Sequence, residues 1–267
     1  MASRLTYITS RDNPLLVRLR KLARHPADYR KHGQILLEGE HLCVEWAARG
    51  GAPARVAIVA GSAWQAGRFI ELAQTALATA IVADAAMAEL STLEAPAPIA
   101  FVVSLPTAAA IRAGVPSVVL DRVQDAGNVG SIMRSAAAFG FAQVIALRGT
   151  AGLWSAKVLR AAMGAHFGLD VVEGADESAL DVLGLPVLGT GSHATQMLAA
   201  APLPWPAAWI FGNEGEGMSG SLAGRCDLVL RIPQPGGQES LNVGAAAAVC
   251  MYQSVSDKLA RERARST

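Results

Sequence analysis

Six short apolar runs recur between residues 117 and 232: SVVLD (117–121), FAQVIAL (141–147), LDVV (169–172), LPVLGT (185–190), AAWIFG (207–212) and DLVLRI (227–232). They are short for helices and too continuously apolar for strands with one wet face, so they read as strands covered on both faces. Helix-length segments fit between them, beginning with Val129 to Phe139. Strand and helix in alternation define an α/β domain with a mostly parallel sheet and helices on both faces. Ligands in such sheets bind outside the carboxyl ends of the strands, so the loops after them are where chemistry is expected.

The preceding residues carry a second, smaller α/β pattern. QILLE (34–38), RVAIVA (55–60), IVA (81–83) and IAFVVS (99–104) read as strands. Asn13 to Arg24 reads as an amphipathic helix with Leu15, Leu16, Leu19 and Leu22 on one side. Further helices are expected from about Gly39 to Arg49 and through Phe69, Leu72 and Leu77. The segment 105–117, LPTAAAIRAGVPS, has two prolines, a glycine and no periodicity. The expected division is therefore a domain over 1–105, a linker over 106–116 and a second domain over 117–267. The chain closes with a helix from Asn242 to about Arg263, whose first half is nearly all small apolar residues. Such a face calls for burial in a core or a subunit interface.

Several function classes are disfavoured. No uninterrupted apolar run is long enough to cross a bilayer, and the polar N-terminus lacks the apolar centre of a secretory signal, so the expectation is a cytoplasmic protein without a membrane partner. Cys43, Cys226 and Cys250 are scattered, and His25, His32, His41, His166 and His193 form no ligand spacing, so no metal is expected. The net charge of +1 says little, but its distribution says more. Arg4, Arg11, Arg18, Arg20, Lys21, Arg24, Arg30 and Lys31 face only Asp12 and Asp28 over the same stretch. That excess could meet a phosphate backbone, or be a solvated helix face.

Three loops after the later strands carry the polar residues. The first, Arg122 to Arg134, offers Asn128 as an N-cap for the helix that Val129 begins, with Gly130 in its first turn and Arg134 on another face. The second, Phe211-Gly-Asn-Glu-Gly-Glu-Gly217, needs unusual backbone angles and exposes main-chain donors. Its glycines run GxxGxG rather than GxGxxG, and its glutamates would repel a pyrophosphate, which disfavours a nucleotide-dependent oxidoreductase. The third, Ile232 to Asn242, holds two prolines and two glycines, with Ser240 and Asn242 both competent caps. Alone, these read as a helix cap, a tight turn and a helix entry.

Together, VVLDRVQDAGNVGSIMRSAAAFG, WIFGNEGEGMS and IPQPGGQESLNVGAAAAV resemble, in order and spacing, the three motifs of the SpoU/TrmH family of RNA ribose methyltransferases. AKVLRAAMGAHFGLDVV, between the first two, extends the likeness over nearly the whole second half. The resemblance implies an α/β trefoil-knot domain of the SPOUT superfamily that binds S-adenosylmethionine, works as a homodimer with a site completed across the interface, and methylates a ribose 2′-hydroxyl of RNA. ITSRDNPLLVRLRKL and ILLEGEHLCVEW are similar to the family's accessory substrate-binding domain, which favours large-subunit (23S) ribosomal RNA and points to Arg18, Lys21 and Arg24 as RNA contacts. A transfer-RNA ribose methyltransferase and a catalytically silent RNA-binding or assembly protein are the alternatives.

Position by position, the resemblance places the donor's adenosine against Gly212, Ile232 and Leu241, with Thr190, Gly191, Phe211 and Pro233 lining the same cleft. It gives Asn128, Arg134, Glu214, Ser240 and Asn242 the catalytic polar positions, Arg134 acting on the 2′-hydroxyl. An arginine whose pKa exceeds about 12 is a poor proton acceptor, so its expected role is electrostatic. Three departures stand out: Asp125-Ala126-Gly127 in place of Asp-Pro-Gly, Gly244 in place of a frequent serine, and Ala162 in place of another.

Overall fold

The computed structural model describes residues 4–92, 94–200, 202–236 and 240–266; Gly237, Gln238 and Glu239 of the third loop lie outside the described residues. Contacts divide the chain into Met1–Thr107 with Trp154–Phe167, and Ala108–Leu153 with Gly168–Thr267. The grouping of Trp154–Phe167 with the first unit is a partition that the strand–helix pattern does not contain.

The first unit runs β1 (Arg4–Ile8), α1 (Pro14–Arg24), α2 (Asp28–His32), β2 (Gln34–Glu38), α3 (Glu40–Arg49), β3 (Val56–Ala60), α4 (Gly61–Gln65), α5 (Ile70–Gln74), β4 (Ala78–Val82), α6 (Asp84–Leu90) and β5 (Ile99–Ser104). Its sheet has the order β1-β4-β3-β5-β2, with β4 parallel to β1 and β3, and β5 antiparallel to β2 and β3. In α1, the Asn13 side chain accepts the Leu15 N–H, Pro14 follows at the first helical position, and Leu16, Leu19 and Leu22 are buried. The single helix expected through Phe69 and Leu77 is instead two, α4 and α5. Gly67 (φ 74°) and Phe69 (φ 62°) adopt left-handed angles between them, which no helix continues through. β1 was not expected at all: it is an edge strand with four of five residues exposed, so it carries no apolar pattern.

The second unit is built from β6 (Ser117–Leu120), α7 (Ala126–Ala138), β7 (Gln143–Leu147), then, past α8 (Ala156–Ala162) in the first unit, β8 (Asp170–Ala175), α9 (Ala179–Leu183), β9 (Val187–Thr190), β10 (Gln196–Met197), β11 (Ala208–Phe211), α10 (Gly220–Ala223), β12 (Leu228–Arg231) and α11 (Val243–Ser266). Every pairing in its sheet is parallel, in the order β10-β12-β9-β11-β6-β7-β8. From β6 the chain steps outward to β7 and β8, then returns past β6 to β9 and leaves a slot that β11 fills. The order thus reverses beside β6, and sheets of this kind bind ligands outside the carboxyl ends of the strands at such a reversal.

Leu120, Trp209 and Phe211 from the strands and Ile132 and Met133 from α7 are fully buried, each contributing about 1.5–3 kcal/mol by leaving water. α11 packs on α7 and β11 and buries Gly244, Ala247, Cys250, Met251 and Ser254, and the Trp209 indole N–H donates to Ser254 Oγ at 2.9 Å. The small residues at the start of α11 permit this close approach to the core.

In the first unit, α8 packs on β2. Arg160 donates to the buried Glu38 carboxylate at 3.0 Å and to Thr92 Oγ1 at 3.0 Å, and Ser91 Oγ donates to the other Glu38 oxygen. Phe167 meets Trp46 edge to face, with centroids 5.3 Å apart. A carboxylate inside a sheet needs such partners, and Arg160 of α8 supplies the guanidinium.

Candidate active site

The expected donor-binding residues fall at the ends of three neighbouring strands. Thr190 ends β9, Phe211 ends β11, and Ile232 follows β12, in a register that pairs Thr190 with Leu230 and Gly189 with both Ile210 and Val229. Gly191 continues from β9, its N–H donating to Leu230 O at 3.1 Å. A Cβ there would sit 3.2 Å from Val229 Cγ1. Phe211 is buried, Ile232 is half-buried, and Pro233, Ser240 and Leu241 are exposed.

The second loop is shaped by its own backbone. Asn213 and Gly217 exchange N–H to O bonds of 3.0 and 2.9 Å, closing a tight turn with Gly217 at φ 72°. Asn213 Oδ1 accepts the N–H groups of Gly215 and Glu216 from inside it. A Cβ on Gly212 would lie 2.2 Å from Met218 N and 2.3 Å from the Gly217 carbonyl carbon, so no other residue fits. Gly212 is thus required by its own loop, whatever it also offers a ligand.

Asn128 is not the cap of α7. Asp125 is: its Oδ1 accepts the Asn128 N–H at 2.9 Å, and the helix starts at Ala126. Asp125, three residues ahead, already satisfies that N–H, which leaves the Asn128 amide free to reach outward. Its Nδ2 donates to Glu214 Oε1 at 3.1 Å, and its Oδ1 accepts from Asn242 Nδ2 at 2.9 Å. Asn242 caps α11 as expected, with Oδ1 accepting from the N–H groups of Gly244 (2.9 Å) and Ala245 (3.2 Å). Glu214 also accepts from the backbone N–H of Asp125 at 3.0 Å and of Gln124 at 3.2 Å. All three loops are therefore joined by one hydrogen-bond chain. Burial works against ionisation of Glu214, but the bonds from Asn128, Asp125 and Gln124 prevail and hold its pKa below the ordinary range. A carboxylate so occupied is a weak base and a good holder.

The structure does not bring every expected polar residue into this chain. Arg134 stands exposed on α7, about 9 Å along the helix axis from Asn128, with no hydrogen bond or ion pair among the described residues. Ser240 is exposed and makes no hydrogen bond among the described residues. In the first unit Lys21 and Arg24 are exposed, Arg24 donating to Glu89 O at 3.3 Å, while Arg18 is half-buried with its Nε enclosed.

Sequence reasoning passed over Asp121 and Arg122. Asp121, 3% exposed, accepts from Ser219 N at 2.8 Å. Arg122 donates to Asp121 at 3.0 Å and to Glu216 at 2.6 Å, and those two carboxylates raise its pKa further. Its φ of 55° has no signature in a chain read without structure. Asn213 was within reach, since an asparagine ahead of glycine in a turn commonly accepts the N–H two residues on.

A donor with an adenosine end fits these residues. Glycine backbone lines the strand ends, and Arg231 Nε and Gln234 Oε1, flanking Ile232 and Pro233, are buried without a hydrogen-bond partner among the described residues. Among the described residues no group of three or more His, Cys, Asp or Glu side chains is placed to hold a metal ion. No helix is long and apolar enough to cross a membrane, among the same residues.

A parallel sheet whose strand order reverses, with glycine backbone and a polar chain at its carboxyl edge, places the chain among α/β enzymes that bind ligands at that edge. Within that class the chain belongs to the SpoU rRNA methylase family, whose model matches residues 116–252. It is 33% identical over 225 residues to the 23S rRNA (guanosine(2553)-2′-O)-methyltransferase RlmP of Bacillus subtilis, covering 83% of this chain and 88% of that one. A crystal structure of an RNA 2′-O ribose methyltransferase matches with TM-score 0.80 at 29% identity, covering 95% of this chain and 100% of that one. The SpoU methyltransferase AviRb from Streptomyces viridochromogenes, in complex with the cofactor AdoMet, matches with TM-score 0.81 at 26% identity, over 92% and 98% of the two chains.

Proposed function

We propose that this chain transfers a methyl group from S-adenosylmethionine to a ribose 2′-hydroxyl of 23S ribosomal RNA, in the cytoplasm. The observation that carries the reading is the hydrogen-bond chain Glu214–Asn128–Asn242, which ties the three motif loops together beside the strand ends. The 23S rRNA named for the Bacillus subtilis relative supports the choice of RNA.

When bound, S-adenosylmethionine supplies a methyl group on a positively charged sulfur. The backbone after β9, β11 and β12, at Thr190, Gly191, Phe211, Gly212, Ile232, Pro233 and Leu241, would hold its adenosine end. Asn128 and Asn242, fixed by Glu214 and by the first N–H groups of α11, form the polar wall for the ribose. Glu214 serves as holder rather than base. Ser240 stands exposed at the same mouth, available to a ribose or phosphate oxygen. Arg134 orients the hydroxyl or a neighbouring phosphate and stabilises negative charge as it develops.

The separation of Arg134 from that chain supports a homodimer in which Arg134 serves the partner's site. The outer face of α11 supports it too: Val249, Tyr252 and Leu259 are 41%, 60% and 44% exposed at spacings of three and seven residues, an apolar stripe along the helix. The trefoil knot of the family belongs to the same reading. Arg18, Lys21 and Arg24 are the proposed contacts of the first unit with RNA.

The test pairs methylation with binding. Arg134→Ala is expected to abolish methyl transfer to ribosomal RNA while S-adenosylhomocysteine binds as in the wild type by calorimetry. Equal loss of both in a folded variant would remove Arg134 from the role. Mapping 2′-O-methyl sites across total RNA with and without the gene tests the substrate; an unchanged map refutes it.

A further inference from the structure

We propose that Arg122, together with Asp121, is a positioning residue that holds the 212–219 loop in the shape presenting Glu214 to Asn128 and Asn242. The proposal rests on the methyltransferase reading above. The pair grips the loop at three points. Asp121 Oδ2 accepts from Ser219 N at 2.8 Å where the loop leaves. The Arg122 carbonyl accepts from Asn213 Nδ2 at 3.0 Å where it enters. The Arg122 guanidinium reaches Glu216 at 2.6 Å across its tip. Glu214, between the first two points, is the residue that holds the asparagines.

The backbone shows that this arrangement is imposed. Arg122 has φ 55°, a left-handed angle that costs a side-chain-bearing residue about 1–2 kcal/mol and persists where surroundings enforce it. Its side chain lies against Gly149, where a Cβ would come within 3.1 Å of Arg122 Cγ. Little of the core depends on it, since the Arg122 side chain is 35% exposed and Glu216 72% exposed. An exposed pair of this kind contributes little to global stability. Its leverage is local, on a loop whose few residues must keep one carboxylate in place.

Arg122→Gly separates loop positioning from folding, because glycine takes φ 55° without strain and keeps the carbonyl bonded to Asn213. In the full chain we expect a melting temperature equal to or above wild type, kcat on ribosomal RNA at least fivefold lower, and amide exchange over 213–219 at least fivefold faster. Arg122→Lys, which keeps a cation opposite Glu216 and the same backbone strain, is expected to recover most of kcat. Unchanged exchange or unchanged kcat in Arg122→Gly overturns the proposal, as does a loss of kcat that tracks a lowered melting temperature. A wild-type protein that fails to bind S-adenosylhomocysteine overturns the methyltransferase reading and the proposal with it. A wild type that binds it, beside a variant indistinguishable from it, overturns the proposal alone.

Discussion

Replacing Glu214 by glutamine changes almost no volume, so its effect follows from the hydrogen bonds. The carboxylate accepts from Asp125 N–H and the Asn128 amide on Oε1, and from Gln124 N–H on Oε2. Glutamine has one oxygen. Turned toward Asp125 and Asn128 it keeps two bonds, and its NH2 group then faces the Gln124 N–H. A bond to a charged group contributes about 1.5–3 kcal/mol when sheltered, and solvent screening at this exposed residue lowers that, so the net loss is about 1–2 kcal/mol. For a chain of this size that is a fall in melting temperature of about 2–6 °C. Turnover on ribosomal RNA should fall severalfold, because the NH2 group left facing the Gln124 N–H loosens the loop from which residue 214 holds Asn128. The pH dependence gives the sharper check. The folded pKa of Glu214 lies below the ordinary 4.5, so its stabilisation is present above that value and lost as pH falls through the folded one. Glutamine does not titrate. The gap in melting temperature between wild type and variant should be full at pH 7 and shrink progressively as pH falls below the ordinary 4.5. A gap that stays constant, or widens toward acid, refutes the reasoning.

Three further substitutions probe other parts of the molecule. Gly212→Ala places a Cβ 2.2 Å from Met218 N, so the loop must rebuild; a stability loss of about 3 kcal/mol and abolished S-adenosylhomocysteine binding are expected, by thermal unfolding and calorimetry. Asn242→Ser keeps a capping oxygen for α11 but loses the donor to Asn128, so the melting temperature should stay within about 2 °C while turnover falls at least tenfold. Arg160→Ala leaves the Glu38 carboxylate buried without its cation and should cost about 3 kcal/mol, whereas the double change Arg160→Met with Glu38→Leu should cost less than that single one in urea unfolding.

What was legible in the sequence follows from what burial writes into it. β6, β7, β9 and β11 were readable because strands covered on both faces must be apolar, and β8 and β12, only partly buried, by the short apolar runs around Val171, Val172 and Leu230. β1 escaped because an edge strand with exposed Arg4, Leu5, Thr6 and Tyr7 has no such requirement, and β10 because its two residues are too few to show a pattern. The pairing of Arg160 with Glu38 joins residues 122 apart, and no local rule expresses a contact of that range. At the site, Asn128, Glu214 and Asn242 were named from family motifs, while their actual roles depend on which donor is satisfied by which neighbour. Asp125 outcompeted Asn128 for the cap, a choice that two equally good capping residues three apart leave open.

That displacement is what makes the hydrogen-bond chain directional. At one end, the first N–H groups of α11 can only donate, so the oxygen of Asn242 must face them and its NH2 group must face away. At the other end an ionised Glu214 can only accept, so the NH2 group of Asn128 must face it and the oxygen must turn toward Asn242. The two ends therefore fix both amide orientations, and the middle link satisfies each without a flip. An aspartate at 128 would set two carboxylates against each other, and a serine would be too short to span both partners. Asparagine alone among short side chains donates and accepts from opposite corners. The identity of residue 128 is thus dictated by the groups on either side of it, and its freedom to serve them depends on Asp125 holding the start of α7.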